Sequence, residues 1–316
     1  MSHPVLAESF DVTTQFVTPL VNGLFDGAAF GLLALGLVLL YKSNRIFNFA
    51  QGEFATVGGI VAFVCTTGYG FVPKMPYLVG CLLAVIASIL VALLTQLLVI
   101  RPMFDRPRVV VVVGTVGVAL FLIGLEGAVF PKTGVTVPFS KEFGLGFAPA
   151  TIDRVQLPWT GLATLIALVA LALLSFLFFR YSPTGTAILA ISQDSTAART
   201  VGISVQRISL ITWGLAGLLG GVAGVLLAQT KPMLPGAVTG LALTGAFAAA
   251  VLGGMTSLPG AFVGGVLLGL FEDFVDADNS FVPGLSSVRS PRDFALLVLI
   301  LVVLLIRPRG LLGKEA

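Results

Sequence analysis

The chain has 316 residues, of which 57% are hydrophobic and 10% are charged, and its mean hydropathy is +1.04. A soluble domain could not solvate a surface this apolar, so the composition excludes an ordinary soluble protein. The net charge of +3 does not indicate nucleic-acid binding, because the basic residues lie in short loops beside apolar runs, where they act as topology signals.

Apolar runs of nearly membrane-spanning length follow one another along the chain. A hydrocarbon core about 30 Å thick requires about 20 helical residues per crossing. The sequence predicts an all-α bundle of eight to ten spans, of which nine are identified: Phe16–Tyr41, Phe49–Thr67, Leu78–Ile100, Val109–Phe130, Pro158–Phe179, Ile208–Gln229, Gly240–Gly254, Leu258–Val275 and Phe294–Ile306. Phe49–Thr67 and the two runs that flank Thr256–Gly260 are short and glycine-rich, so broken or re-entrant helices are expected there.

The basic residues also predict the orientation of the chain. If the N-terminus is outside, the inside segments are Lys42–Asn48, Arg101–Arg108, Arg180–Arg207, Met255–Ser257 and the tail from Arg307. These segments hold eleven of the 18 Lys and Arg residues. Because short inside loops carry the excess of positive charge, the sequence predicts an N-out, C-in topology.

Three segments complete this outline. Met1–Gln15 has no Lys or Arg, so it lacks the basic region of a cleavable signal peptide, and the first span is expected to remain. Pro131–Leu157 is predicted to be an external loop with room for a short helix. Cys65 and Cys81 lie in or beside apolar runs and are expected to be free thiols. The chain has no Cys/His cluster, so a metal site is not expected.

Glycines four residues apart recur in the second half of the chain. Small residues at this spacing let helices approach closely in a membrane. The sequence therefore predicts helix-packing faces at Gly217/Gly221, Gly220/Gly224, Gly260/Gly264 and Gly265/Gly269.

The longest polar stretch on the predicted inner side is Arg180–Arg207. Ser182 followed by Pro183 predicts a helix start, and Gly202 predicts a stop, with one or two short helices between them. One helix face would carry Ile188, Ile191, Ser195 and Ala198, and the other would carry Ser192, Gln193, Thr196, Arg199 and Thr200.

Two interpretations of this stretch remain open. It is either an amphipathic helix on the membrane surface or a docking element for another protein. The small side chains of Ala190, Ala197 and Ala198 favour docking, because they form a shallow knob that suits a protein cleft.

The run Thr196–Ile203 resembles the EAA loop of ABC-importer permeases, a coupling helix that docks on the ATPase. Thr196 stands where that loop usually has Glu. The wider pattern is similar to the branched-chain amino-acid permease family of the LivH type. The resemblance assigns ATPase coupling to Gly185, Gln193, Asp194, Thr196, Ala197, Ala198, Arg199, Gly202 and Ile203.

Four further stretches resemble the same family in the same order. They are Asn22–Leu24 with Ala34–Leu37, Asn48–Glu53, Ala250–Gly254 with Leu258–Ala261, and Arg307–Gly313. Asn48–Glu53 is similar to the family motif Asn-Phe-Ala-His-Gly-Glu, with Gln51 in place of His.

Acidic residues beside or within apolar runs are costly in lipid, so they are expected to be buried, paired or functional. Asn48, Gln51 and Glu53 are candidate residues of the translocation path, although a structural role for Glu53 is equally open. Asp26 and Glu126 are expected to have structural partners. Glu272 and Asp273 are expected at an external membrane edge, in a solvated loop, and a contact with a binding protein is the alternative.

The resemblance implies one permease domain, residues 1–316, with a cytoplasmic coupling loop at 180–207, in the bacterial inner membrane. The chain has no Gly-x-x-x-x-Gly-Lys-Ser/Thr motif, since Lys314 is followed by Glu315. It is therefore expected not to be an enzyme and to hold no cofactor, with ATP bound by partner subunits. The implied partners are a second permease subunit, homologous or identical, two ATPases, an extracytoplasmic solute-binding protein and the lipid bilayer.

The implied substrate is a branched-chain or other aliphatic amino acid, and urea or short amides are the alternative. The rival function is an ion-gradient-driven secondary transporter or channel. That rival predicts a relay of intramembrane acids and no docking helix.

Overall fold

The computed structural model describes residues 16–70, 72–104, 106–129, 150–152, 155–157, 159–230, 237–277, 291–307 and 310–313. The helices in these residues are α1 (Thr18–Asn44), α2 (Gln51–Thr67), α3 (Tyr77–Thr95), α4 (Arg108–Val129), α5 (Trp159–Tyr181), α6 (Pro183–Gln193), α7 (Ser195–Thr200), α8 (Val205–Thr230), α9 (Ala237–Gly253), α10 (Leu258–Ala277) and α11 (Pro291–Ile306). All nine predicted spans coincide with helices, and α6 and α7 lie in the predicted inner loop, so the all-α fold class is confirmed.

Six helices in the described residues are long and apolar enough to cross a membrane. They contain the spans Thr18–Asn44, Tyr77–Ile100, Arg108–Ala128, Leu162–Tyr181, Val205–Gln229 and Leu258–Val275, and Leu243–Gly253 and Phe294–Ile306 are shorter apolar helices. The 17 residues of α2 extend over about 26 Å at about 1.5 Å per residue, less than a hydrocarbon core of about 30 Å. Helix α2 is therefore short, as predicted.

Helix α1 lies at the centre of the bundle. Every residue from Gly27 to Leu40 is buried, which is expected of a helix that is apolar on all sides. It packs on α10 most extensively, and also on α8, α9 and α5. Because α1 is surrounded by protein, the helices around it provide the surface that meets lipid.

Glycines determine how closely these helices approach. A methyl group at Gly269 of α10 would overlap the backbone of Gly23 and Gly27 in α1, and one at Gly224 of α8 would overlap the backbone of Ala55 in α2. The other predicted pairs also face neighbouring helices: Gly217 and Gly221 face α3, Gly220 faces α2, Gly260 and Gly264 face α9, and Gly265 faces α1. The predicted packing faces are confirmed.

Two connections refine the sequence prediction. The described part of the predicted external loop is an antiparallel hairpin of β1 (Ala150–Ile152) and β2 (Val155–Leu157), with Thr151 opposite Gln156, and not a helix. Residues 130–149 of that loop, and the terminal residues Met1–Gln15, lie outside the described residues. Helix α3 continues into a wider π-helical turn at Gln96–Ile100.

The C-terminal segment is tied to the end of α9. The amides of Leu311 and Leu312 donate to the carbonyls of Leu252 and Gly253 at 2.8 and 3.0 Å. Cys65 and Cys81 have free thiols. The turn at residues 254–257 connects the end of α9 to the start of α10, and the C-terminal segment packs beside this turn.

Candidate functional site

The segment after α5 begins with a capped helix. The Ser182 side chain accepts a hydrogen bond from the Thr184 amide at 3.2 Å, and Pro183 occupies the first turn of α6. A serine cap accepts a hydrogen bond from an amide that has no partner within the helix. Proline in the first turn costs no helical hydrogen bond, because the amide at that position would have none. The predicted helix start is confirmed.

The segment contains two helices because Asp194 interrupts it. Asp194 is extended (φ −147°, ψ 107°), and its Oδ1 accepts from the amides of Thr196 and Ala197 at 2.8 and 3.0 Å. Asp is a preferred cap residue, so the signal for this break was present in the sequence. Asp194 therefore shapes the start of α7.

Gly202 ends α7 in a left-handed turn. Its φ is +85°, and the Ile203 amide donates to the Ala198 carbonyl at 3.0 Å. This is the usual glycine-terminated helix end. A methyl group at Gly202 would meet nothing within 4 Å, so the requirement for glycine is conformational. The predicted stop is confirmed.

The two faces of the segment agree with the prediction at most positions. Ile188 and Ile191 are buried in the core, and Ala198 is 4% exposed beside them. Ser192 is half-buried and not exposed as predicted, and the burial of Ser195 lies outside the described residues. The exposed residues are Gln193, Asp194, Thr196, Ala197, Arg199, Thr200, Val201 and Gly202.

One expectation needs correction. Ala198 was expected to offer its side chain to a partner together with Ala197, but Ala198 packs inside this chain. Only Ala197 is presented outward. The reason is that α7 is oriented so that Ala198 packs in the same buried cluster as Ile188 and Ile191.

Gly185 and Ile203 also belong to the inner face. A methyl group at Gly185 would lie 2.7 Å from Cα of Phe179 and would overlap the carbonyl of Phe178, so glycine lets α6 cross the end of α5. Ile203 is half-buried against the same core. Both residues hold the segment on the bundle, and neither forms its outer surface.

Two arginines hold the segment to distant loops. Arg45 Nη2 donates to the Ser192 carbonyl at 2.9 Å, across 147 positions of sequence. The Arg199 guanidinium lies 5.9 Å from the ring centroid of Phe104, in the turn between α3 and α4. The segment therefore contacts both the α1–α2 connection and the α3–α4 connection.

Sequence reasoning did not identify Arg45. Its backbone lies in the left-handed region (φ +55°) at the end of α1, a conformation that is uncommon outside glycine. No local sequence pattern predicts this conformation, because the turn that follows α1 determines the direction of the Arg45 side chain.

The start of α2 forms a second cluster of predicted residues. Asn48 Oδ1 accepts from the Ala50 amide at 3.1 Å, and Asn48 Nδ2 donates to Gln51 Oε1 at 3.4 Å. Gln51 Nε2 donates to the Ala216 carbonyl of α8 at 3.1 Å. Both side chains are buried. The Asn48 side chain therefore stabilises the turn before α2, and the Gln51 side chain joins α2 to α8.

Glu53 is fully buried and meets another acid. The buried carboxyl group of Glu126 in α4 is a close acidic neighbour of Glu53. Neither oxygen of Glu126 has a hydrogen-bond partner among the described residues. The structural partner predicted for Glu126 is therefore not found as a hydrogen bond, and the two acids lie buried between α2 and α4.

The remaining acids differ in environment. Asp26 is half-buried in α1 and has an interaction partner, as predicted. Glu272 was expected in a solvated loop, but it lies within α10 and is 3% exposed, because the helix places this position inside the bundle. Among the described residues, no three His, Cys, Asp or Glu side chains are close enough to hold a metal ion.

Comparison with known proteins gives one consistent family. Residues 20–307 match the family described as "Branched-chain amino acid transport system / permease component". The chain is 29% identical over 312 residues to the high-affinity branched-chain amino acid transport system permease protein LivH of Escherichia coli K12, covering 95% of this chain and 96% of LivH.

Two further relatives extend the comparison. The probable branched-chain amino acid transport permease protein LivH of Methanocaldococcus jannaschii is 32% identical over 288 residues, covering 90% of this chain and 88% of that protein. The permease protein BraD of Pseudomonas aeruginosa is 28% identical over 312 residues, covering 95% and 96%.

Proposed function

This chain belongs to the family of branched-chain amino acid transport system permease components, and from that premise we propose how it works in an ABC importer. It is a multi-pass subunit of the inner membrane that lets a small aliphatic solute cross. The observation that carries the proposal is the α6–α7 segment, a capped pair of short helices fixed to the bundle with Ala197 on its outer side.

The outer face of α6 and α7 is the contact surface for a separate ATPase. Gln193, Thr196, Ala197 and Arg199 are exposed and would meet the partner. Asp194 and Gly202 set the two ends of α7. Gly185, Ala198 and Ile203 act from inside, because they hold this surface on α5 and the core.

The anchoring of this segment suits the transmission of movement. A force on the α6–α7 segment reaches the α1–α2 connection through Arg45, which bonds Ser192 of α6, and the α3–α4 turn through Arg199 of α7. A helix lying on a membrane surface would need bulky apolar side chains facing outward. The exposed face of α7 has alanine, threonine and arginine, and Val201 directly after α7 is one exposed apolar side chain. This small apolar surface favours docking on protein.

The assembly contains a second permease subunit, homologous or identical, two ATPases that bind ATP, and an extracytoplasmic solute-binding protein. Residues 1–316 form one permease domain with the coupling loop at 180–207, in an N-out, C-in orientation. The excess of basic residues on the α6–α7 side supports this orientation.

Asn48, Gln51 and Glu53 act on the translocation path by fixing the start of α2. Asn48 hydrogen-bonds Gln51, Gln51 also bonds α8, and Glu53 is buried beside Glu126 of α4. A short helix held by buried polar groups is an element whose position can differ between two states of a transporter. In this role the three residues position the path and need not touch the solute.

The function is tested by transport in proteoliposomes. The chain is reconstituted with its second permease and ATPases, and uptake of radiolabelled leucine is measured with the solute-binding protein present. ATP should drive uptake, and excess isoleucine should compete whereas urea and acetamide should not. Competition by urea or acetamide alone would assign the alternative substrate. Uptake driven by a proton or sodium gradient without the ATPases would support a secondary transporter and overturn the proposal.

A further inference from the structure

The connection between α1 and α2 is a meeting point for three other helices. Arg45 Nη2 donates to the Ser192 carbonyl of α6 at 2.9 Å. The Phe49 amide donates to the Thr115 hydroxyl of α4 at 3.2 Å. Between these two contacts, Phe47 places its ring against α9. The connection therefore joins the α6–α7 segment to α4 and α9 through side chains.

The ring of Phe47 lies between two other aromatic rings. It stacks on Tyr41 in the last turn of α1, with centroids 4.9 Å apart and planes at 28°. On α9 it meets Phe247, with centroids 5.6 Å apart and planes at 51°. Phe247 is half-buried and packs against the buried core. Rings at these separations attract each other beyond the effect of burial alone, so a specific contact holds α9 to the connection.

The two helices that meet at this contact are short. Helices α2 and α9 have 17 residues each, which is about 26 Å at about 1.5 Å per residue and less than a hydrocarbon core of about 30 Å. They also pack on each other. Short helices of this kind can take different positions in two states of a transporter. Because Phe47 precedes α2 in the chain and contacts α9 through its ring, it can move both helices together.

We propose that Phe47 is a positioning residue that passes movement of the α6–α7 segment to α9. This inference rests on the proposed function, because it takes α6 and α7 as the surface that the ATPase moves. Movement of Ser192 reaches Arg45 through their hydrogen bond, and it reaches Phe47 through two peptide units. The ring of Phe47 then transmits it to Phe247. Without this ring, α2 would still follow Arg45 through the chain, whereas α9 would lose its aromatic contact with the connection.

A purely structural role for Phe47 gives a different result. If the ring only stabilised the fold, its loss would lower uptake and ATP hydrolysis together, because fewer intact complexes would remain. Loss of a transmitting contact lowers the uptake per ATP hydrolysed, because the ATPases still turn over while α9 follows them less. The ratio of uptake to ATP hydrolysis therefore separates the two roles.

The test uses proteoliposomes that contain this chain with its second permease subunit and ATPases, and the solute-binding protein. Uptake of radiolabelled leucine and hydrolysis of ATP are measured on the same sample. Phe47→Leu keeps an apolar side chain but removes the ring, so the ratio of uptake to hydrolysis should fall about 2- to 10-fold, the factor that corresponds to one aromatic pair. Phe47→Tyr keeps the ring and should retain the ratio. Both variants should co-purify with the ATPase as the unaltered chain does.

Two further variants test the contact itself. Phe49→Leu is the matched control, because Phe49 is an exposed phenylalanine of the same connection, and it should leave the ratio unchanged. Phe247→Leu should reproduce the loss seen in Phe47→Leu. The double variant should lose no more than the larger single loss, because both substitutions remove the same contact. If Phe47→Leu fails to assemble, Phe247→Leu decides the question by the same ratio.

Three results would overturn this proposal and leave the proposed function standing. They are an unchanged ratio in Phe47→Leu, a parallel fall of uptake and hydrolysis, or losses that multiply when Phe47→Leu and Phe247→Leu are combined. The absence of ATP-driven uptake with the unaltered chain would instead refute the proposed function, and this inference with it.

Discussion

Gln51 Nε2 donates a hydrogen bond to the backbone carbonyl of Ala216 at 3.1 Å and so joins the first turn of α2 to the middle of α8. Gly36 of α1 makes room for this amide, because a methyl group there would overlap Gln51 Nε2. Three helices thus meet at one buried side chain.

Gln51→Leu should destabilise the protein by about 1 to 3 kcal/mol, because it leaves the buried Ala216 carbonyl without its donor. Gln51→His, which keeps a ring nitrogen donor, should lose less. The measurement is the free energy of unfolding in mixed detergent micelles. Gln193→Leu on the exposed face of α6 is the control and should change stability by less than about 0.5 kcal/mol. Equal stability of Gln51→Leu and the unaltered chain would contradict this account.

The helices and their ends could be predicted from the sequence because their causes are local. Continuous apolar runs predict spans, Ser182 with Pro183 predicts the start of α6, and Gly202 predicts the end of α7. These signals act within a few residues. The structure reproduces all three features.

The contacts that define the site could not be predicted, because they join distant segments. Arg45 reaches Ser192 from a left-handed turn, and Glu53 meets Glu126 across two helices. The inward side of Ala198 was visible in the helical spacing. Its resemblance to a docking motif suggested the opposite role, and the motif alone cannot distinguish a residue that touches a partner from one that supports the contact.

Ala197→Trp and Ala198→Trp should both weaken ATPase association, but for different physical reasons. Ala197 is exposed, so a tryptophan there should leave the fold intact and lower ATPase occupancy about 10- to 100-fold through overpacking of the docking contact. Ala198 is buried, so Ala198→Trp should also lower the unfolding free energy by about 1 to 3 kcal/mol. Co-purification of the ATPase and unfolding in micelles are measured together.

Thr186→Trp is the matched control for the docking prediction, since Thr186 is exposed on α6 but near its first turn. It should retain ATPase association and uptake. Normal ATPase co-purification with Ala197→Trp would show that α7 is not the docking surface.

A comparison of Arg45→Gly with Arg45→Ala should separate the contribution of the guanidinium group to coupling from the contribution of the left-handed backbone to stability. Both remove the hydrogen bond to Ser192 and should lower uptake per ATP hydrolysed, because α6 loses its link to the α1–α2 connection. Glycine is relaxed at φ +55°, so Arg45→Gly should be about 0.5 to 1 kcal/mol more stable than Arg45→Ala.

Arg106→Gln serves as the control for the loss of one positive charge on the same predicted side. It should leave the ratio of uptake to ATP hydrolysis unchanged. If Arg45→Gly transports with normal coupling, the arginine only stabilises the turn, and the transmission role falls to Arg199.

Glu126→Gln and Glu126→Leu should differ because a glutamine amide beside the buried Glu53 can donate a hydrogen bond, whereas leucine cannot. In the part of the chain that the structure describes, neither oxygen of Glu126 has a hydrogen-bond partner. The amide of Glu126→Gln can donate to the Glu53 carboxylate, so this variant should stay within about 0.5 kcal/mol of the unaltered chain. Glu126→Leu leaves the buried Glu53 beside an apolar side chain and should lower the unfolding free energy by about 1 to 3 kcal/mol.

A double-mutant cycle assigns this effect to the pair. Because glutamine at position 53 carries no charge, Glu126→Leu should cost less in a Glu53→Gln background, with an interaction free energy of about 0.5 kcal/mol or more. Additive costs would show that the two carboxyl groups do not interact and that Glu126 contributes only through the packing of α4. A further result would separate the roles of the two acids. If the cycle shows coupling in stability but only Glu53→Leu abolishes uptake, then transport requires the acidic side chain on α2, and Glu126 contributes only to stability.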